Sequence, residues 1–211
     1  MRLDLCVSHS EKLSILEDIG KKTKNNKWFV VTDDGQCHLF DNACKFDDIS
    51  KITELSESCI RKDITRIHIP NSVTSIGNWA FYGCGGLTSI IIPNSVTSIK
   101  NEAFTSCRGL TSVIIPDSVV SIKGYAFCGC SGLTSVTIGN NVRSLGSYVF
   151  YSCSVLTSVT IPDSVRSVGD YAFYNCSSLT SIAFKGKALE QVKAMNSYPW
   201  GIKDTSIIHI E

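Results

Sequence analysis

The sequence predicts an α/β solenoid, a right-handed coil whose turns supply a parallel β ladder, short second extended segments and short helical turns. Three observations predict it. Phe81, Phe104, Phe127, Phe150 and Phe173 follow one another at intervals of 23 residues. Leu87, Leu110, Leu133, Leu156 and Leu179 keep the same step, as do Pro70, Pro93, Pro116 and Pro162, with Gly139 standing in once. Degraded copies flank the regular ones, as expected of a stack whose ends must be shielded from solvent.

The unit from Pro93 to Ile115 sets out the logic. Leu110, Val113 and Ile115 are the apolar members of an L-x-x-L-x-L strand whose last three residues alternate in and out. Proline ends each strand because it has no N–H to give to a ladder. Asn94-Ser95 turns the chain, and Val96 and Ile99 point inward from a second extended piece. Ala103, Phe104 and Cys107 have the spacing of one face of a short helical turn. One such coil cannot cover its own apolar face, so burial requires neighbouring coils stacked until like residues form continuous rows.

Five regular units occupy residues 70–184. Residues 49–69 read as a degenerate first repeat, with Ile49, Ile52 and Ser56 matching Val73, Ile76 and Ala80. The segment Ile64-Thr65-Arg66-Ile67-His68-Ile69 reproduces the ladder strand. Residues 185–211 read as a divergent capping coil: a short helix over Leu189 to Met195, a break at Pro199-Trp200-Gly201, and a last strand at Ile207-Ile208-His209-Ile210. Seven ladder strands are expected in all. Residues 1–48 carry no repeat and read as an N-terminal cap or small appended module. In it, Ser8 and Glu11 start a helix through Leu13, Leu16 and Ile19, and a hairpin joins Trp28 to Thr32 with Cys37 to Phe40.

Composition narrows the function classes. The chain has 211 residues, 43% of them hydrophobic, enough to bury a core. A formal net charge of +1, from 20 basic and 19 acidic residues, gives no field that would draw in nucleic acid or an anionic membrane. No apolar run approaches the roughly 20 residues that span a bilayer, so no membrane insertion is expected. The start, Met1 to His9, has too short an apolar stretch for a signal peptide, and on that feature alone the chain reads as cytoplasmic.

The motif Ile-Pro-Asn/Asp-Ser-Val-x-Ser-Ile, followed by Ala-Phe-x-x-Cys-x-x-Leu-Thr-Ser-Val, resembles the BspA-like class of leucine-rich repeats, closely from Pro70 to Phe184 and more weakly in the flanks. The segment from Phe184 to Ile202 resembles the C-terminal caps of such arrays. The resemblance implies a cell-surface or secreted microbial protein that engages host or neighbouring-cell proteins, extracellular-matrix components among them. Gly139-Asn140-Asn141 in place of Pro-Asn-Ser, and Val149 in place of Ala, depart from the pattern.

Catalytic and metal chemistry find little footing. Cys84, Cys107, Cys130, Cys153 and Cys176 recur at the repeat interval, and a line of thiols is not the tetrahedral cluster zinc needs. Side chains pointing the same way from stacked coils are also badly oriented for disulfides. These cysteines read as small, reduced, buried hydrophobes. Cys128, off that row, is expected at the surface. Cys6, His9, Cys37, His38 and Cys44 match no zinc-finger spacing and read as ordinary cap residues. His9, His38, His68 and His209 are the four histidines, none in the setting a nucleophile requires. Asp33-Asp34 and Asp47-Asp48 read as turn residues, and no glycine-rich phosphate loop is present. No cofactor, no metal and no enzymatic activity are expected.

What remains is surface. Thr88, Thr111, Thr134, Thr157 and Thr180, with the serines that follow them, form an outward hydroxyl face on the ladder. Trp79, Tyr125, Tyr148 and Tyr171 form an aromatic row, with Tyr82, Tyr151 and Tyr174 beside it. Aromatic side chains dominate protein-binding hot spots, so these seven are the candidate partner-binding residues. Glu102 and Thr105 interrupt both rows in one coil, which directs attention to the third to fifth coils. The leading expectation is a protein-binding, adhesion-type module. The alternatives are a structural accessory domain of a larger cell-envelope or phage assembly and carbohydrate binding through the aromatic row.

Overall fold

The computed structural model describes residues 28–31, 37–40, 54–55, 67, 69, 71 and 73–211. Near the N-terminus, β1 (Trp28–Val31) and β2 (Cys37–Phe40) pair antiparallel, Trp28 opposite Phe40. The helix expected at Ser8 lies outside the described residues. The rest is a β-solenoid of about six turns, built from two parallel sheets.

The first sheet contains β3 (Glu54–Leu55), β4 (Ser75–Ile76), β5 (Ser98–Ile99), β7 (Ser121–Ile122), β9 (Ser144–Leu145) and β11 (Ser167–Val168), side by side in chain order. The second contains β6 (Ser112–Ile114), β8 (Ser135–Thr137), β10 (Ser158–Ile161), β12 (Ser181–Phe184) and β13 (Ile208–Ile210). Registers such as Ser98↔Ser121 and Val113↔Val136 join residues 23 apart, so each strand pairs with its own copy one coil on. Alternation follows directly: Ser112 and Ile114 face solvent while Val113 is buried, and each two-residue strand from β4 onward has a half-buried first residue and a buried second.

Two expectations about the ladder change. Among the described residues five ladder strands and a single bridge at Ile91 are present, and Ile67 and Ile69 are buried without forming a strand. At the N-terminal end Leu55, not Ile52, pairs with Ile76. The interval there is 76 − 55 = 21 residues, shorter than the regular repeat, whereas the sequence match of Ile52 with Ile76 implies 76 − 52 = 24.

The third side of each coil is not helical. In a helix the N–H groups bond within the segment, but here every second one reaches the neighbouring coil. Trp79, Phe81 and Gly83 donate to the carbonyls of Asn101, Ala103 and Thr105 at 3.1, 2.7 and 2.8 Å. Only the residues between them, such as Tyr82 and Cys84, bond back three positions, each at 3.0 Å. Helical spacing therefore arises from successive tight turns, and those turns require left-handed backbone at two positions per coil, for example Trp79 at φ 54° and Gly83 at φ 72°. Among the described residues the α-helix is α1 (Leu189–Lys193), in the final coil.

With all three sides bonded to the next coil, the apolar residues stack in rows. Phe81 and Phe104 lie 4.9 Å apart and 3° from parallel, Phe104 and Phe127 5.0 Å and 4°. Phe127–Phe150 and Phe150–Phe173 open to 5.7 Å. Polar residues lock the coils at the turns: Ser95, Ser118 and Ser164 each donate a hydroxyl to the carbonyl of Val73, Val96 and Val142. In the coil that lacks Pro-Asn-Ser, Asn141 substitutes by donating its side-chain amide to the Asp117 carbonyl at 2.9 Å. Gly139 lets the chain pass close there, since a Cβ would sit 2.5 Å from the Pro116 carbonyl oxygen. At the far end Trp200 is fully buried, 5.4 Å from the Phe184 ring, and its Nε1 donates to the Asn196 carbonyl at 2.9 Å.

Because Phe127 has ring neighbours on both sides, Phe127→Ala is expected to destabilise the protein by about 3–5 kcal/mol. Urea unfolding followed by circular dichroism measures it, and a cost below about 1 kcal/mol would contradict a close-packed row.

Candidate interaction surface

The left-handed position at the start of each outer turn carries the residues singled out by the sequence. Trp79, Glu102, Tyr125, Tyr148 and Tyr171 have φ of 54°, 57°, 59°, 58° and 53°. The N–H groups of the first four bond to the next coil, from Trp79 to Asn101 at 3.1 Å through Tyr148 to Asp170 at 2.8 Å. Bulky residues at positive φ carry strain of about 1 kcal/mol or more. At coils three to five the rings offset it by stacking. Tyr125–Tyr148 lie 4.6 Å apart and 4° from parallel, and Tyr148–Tyr171 lie 5.3 Å apart.

Three residues further along, Tyr151 and Tyr174 stack at 5.6 Å. They join the first row through a tilted contact, Tyr148–Tyr151 at 5.6 Å, and an edge-on one, Tyr171–Tyr174 at 5.7 Å. Five of the seven candidate residues thus form one continuous tyrosine cluster. Tyr125, Tyr171 and Tyr174 are exposed, and Tyr148 and Tyr151 are half-buried between neighbours. Loss of hydration among these rings, followed by the Tyr125 and Tyr171 phenols, raises the Tyr148 phenol above its ordinary pKa. Trp79 and Tyr82, also exposed, lie apart from the cluster, beyond the Glu102 and Thr105 coil.

The hydroxyl face is less available than the sequence implied. Thr111, Thr134 and Thr180 donate their hydroxyls to the carbonyls of Thr88, Thr111 and Thr157 at 3.3, 2.9 and 3.2 Å. Those protons hold the ladder together instead of pointing at a ligand. Sequence reasoning did not single out the same sheet's apolar end, where Ile91 is 75% and Ile114 67% exposed. They border a groove of ≈ 690 Å³ that also includes Pro116, Thr137, Thr160 and Lys185. The signal was present, because three isoleucines in a row, Ile90-Ile91-Ile92, force the middle one outward.

The cysteine row is internal from Cys84 to Cys153 and half-buried at Cys176. Cys107, Cys130, Cys153 and Cys176 donate their thiols to the carbonyls of Phe81, Phe104, Phe127 and Phe150 at 3.0–3.2 Å. Cys128 is half-buried, not open. Burial raises the Cys130 and Cys153 thiols well above their ordinary value of 9.0 and the Cys176 thiol to about 12. No His/Cys/Asp/Glu group that could hold a metal is formed among the described residues. Cys6, His9, Cys44 and His68 lie outside them, and His209 is exposed in β13.

Two predictions follow from this geometry. A thiol whose folded pKa is raised keeps its proton in the native state while the unfolded chain loses it near pH 9, so its stabilising contribution is complete below pH 9 and declines as pH rises towards about 12 for Cys176. Alkylation by iodoacetamide at pH 8.5 should therefore leave the row intact in the native protein and modify it once urea is added. Labelling of Cys130 or Cys153 in the native state, read by peptide mass spectrometry, would refute this.

At Tyr148, replacement by alanine removes stacking on both sides yet retains left-handed strain, while glycine relieves the strain. Tyr148→Ala should cost about 1–3 kcal/mol and Tyr148→Gly about 1 kcal/mol less. That inverts the usual order of alanine over glycine, and equal urea midpoints would count against it.

Comparison with known proteins bears on this architecture. A model of the BspA-type leucine-rich repeat region matches residues 97–199 in six copies. Among solved structures, a leucine-rich repeat protein of T. pallidum superposes with a TM-score of 0.58 at 22% identity, covering 87% of this chain and 78% of that one. A leucine-rich repeat protein from Eubacterium ventriosum gives a TM-score of 0.53 at 22% identity, over 89% of this chain and 49% of that one. Both are likenesses of fold. None of the curated proteins matches the chain. No helix among the described residues is long and apolar enough to cross a membrane. Residues 97–199 of this chain are thus BspA-type leucine-rich repeats by the family match, and the two structural likenesses show the same repeat fold for the array.

Proposed function

We propose that the chain is a non-enzymatic, adhesion-type binding module that holds a protein partner, from a host or a neighbouring cell, on the tyrosine cluster of coils three to five. The observation that carries this reading is the cluster itself: five tyrosines fixed at 4.6–5.7 Å on a rigid ladder and open to solvent along one edge. Rings already held in one geometry lose little freedom on binding, and phenol edges combine apolar contact with a polar tip.

A protein partner suits this arrangement better than a sugar. Carbohydrate recognition by aromatic residues needs an open ring face, and Tyr148 has a ring stacked on each of its faces. At its centre the cluster offers edges and hydroxyls, which suit the mixed apolar and polar contacts of a protein interface.

The test is binding of the full chain to immobilised extracellular-matrix proteins and to intact host cells, with a variant in which Tyr148, Tyr151, Tyr171 and Tyr174 are all changed to Ser. The wild type should bind at least one of these targets, and the variant, matched for circular dichroism, should lose about tenfold or more in affinity, equivalent to one hot-spot residue's worth of binding energy. Unchanged binding by a folded variant would remove the tyrosine cluster from the interface.

A further inference from the structure

The ladder sheet ends on β13, and that end is not closed as the rest of the stack is. Ile161 pairs with Phe184 and Phe184 with Ile210. Ile161 and Phe184 are fully buried, whereas Ile210, the last member of this inward row, is 40% exposed, with no strand beyond it among the described residues. Ile207, just before the strand, is half-buried, and His209 and Glu211 on either side of Ile210 are exposed.

The backbone of this edge is equally specific. Glu211 gives its N–H to the Phe184 carbonyl and its carbonyl accepts from the Gly186 N–H, both at 2.9 Å. Successive residues of a strand direct their backbone groups to opposite edges, so His209 shares the β12 side with Glu211, while Ile208 and Ile210 face the open side. The Ile208 N–H is already bonded to the Thr205 carbonyl. In β13, Ile210 is therefore the residue that presents both a donor and an acceptor to the open edge.

We propose that this edge pairs antiparallel with β13 of a second copy of the chain, about a two-fold axis between the two Ile210 residues. A donor and an acceptor on one residue satisfy the same residue of a two-fold mate, which is the hydrogen-bonded pair of an antiparallel ladder. That centre fixes the side-chain neighbours. His209 of each copy stands opposite Glu211 of the other on the outward face, and the two Ile210 side chains meet on the inward face. In-register parallel addition would set His209 against His209 and Glu211 against Glu211, so charge selects the antiparallel form. Neither proline nor lysine, which commonly protect sheet edges, occurs in β13. The edge is three residues long, so the contact is small and the dimer is weak and reversible. The inference does not rest on the reading of the tyrosine cluster.

Sedimentation equilibrium of the full chain tests it. The wild type is expected to show a reversible monomer–dimer equilibrium at loadings between about 10 μM and 1 mM, the range of a small interface. Ile210→Pro removes the edge N–H without touching the bonds to β12 and should weaken the dimer about tenfold or more. His209→Glu, which places carboxylates opposite each other twice, should weaken it about threefold or more, and adding Glu211→Lys to that variant should restore it to within about twofold of the wild type. A wild type that stays monomeric throughout that range, a dimer unchanged by His209→Glu, or a double variant that fails to recover would overturn the proposal. If Ile210→Pro disturbs the final coil by circular dichroism, the two charge variants decide alone, since both residues are exposed. The variant with the four tyrosines changed to Ser should dimerise as the wild type does, and loss of its dimer would move the contact to the tyrosine cluster and overturn the edge pairing.

Discussion

Everything in this molecule depends on one closure condition: each coil must return to its starting point displaced by a single strand spacing, so that the backbone groups on all three sides meet their copies in the next coil. The constraint is visible where irregularity is absorbed. Where Pro-Asn-Ser gives way to Gly139-Asn140-Asn141, the interval is still 23 residues and Asn141 restores the lock that serine provides elsewhere. Where the interval does change, near Leu55, the repeat pattern fades as well. A parallel sheet tolerates no slip, because moving the register by one residue would turn the buried Val113 and Val136 outward.

Closure also explains why the third side consists of turns. An α-helix rises 1.5 Å per residue and satisfies its own amides, which would leave that side of the stack joined only by side chains. Alternating the bonds, one to the next coil and one back along the turn, joins the coils there as firmly as the strands do, at the cost of two left-handed residues per coil. Glycine takes the second of these in the Gly83 and Gly129 coils, whereas the first is held by Trp, Glu or Tyr in each regular coil. Large side chains at a position where glycine is least strained imply that the side chain contributes something glycine cannot. Ring stacking between coils is that contribution at Tyr125, Tyr148 and Tyr171.

The interior was the legible part of the sequence, because burial imposes the same residue at the same place in every coil. The phenylalanine, leucine and cysteine rows, the two extended segments and the inward alternation of Val113 and Ile115 all follow from the period. The turn geometry was not legible: Ala103, Phe104 and Cys107 have a spacing that a helical turn and a chain of tight turns share, and only the hydrogen bonds distinguish them. Nor was the thiol-to-carbonyl bonding of the cysteines, which looks from sequence like simple apolar filling. Trp200 reads as part of a helix break, yet it seals the end of the core against Phe184, a contact with no counterpart in the repeat. At the surface, the rows of Tyr and Thr could be read but not ranked. What ranks them is that the threonine hydroxyls are engaged by neighbouring carbonyls while the tyrosine edges are not enclosed.

A repeating scaffold makes function a matter of departures from the repeat. Interior positions cannot vary without disturbing two neighbouring coils, so information about a partner can be stored only where side chains leave the stack. The outer-turn row runs Trp, Glu, Tyr, Tyr, Tyr, and the second row Tyr, Thr, Cys, Tyr, Tyr. The exposed ladder position runs Ile91, Ile114, Thr137, Thr160, apolar at one end and hydroxylated further on. The outer-turn row and the exposed ladder position both change character between the second and third coils, and the second row is at its narrowest, Thr105 and Cys128, across the same step. The scaffold's strict periodicity thus produces a surface that is graded along its axis, with Glu102 at the point of change, and a partner laid along that axis would meet a different chemistry at each end.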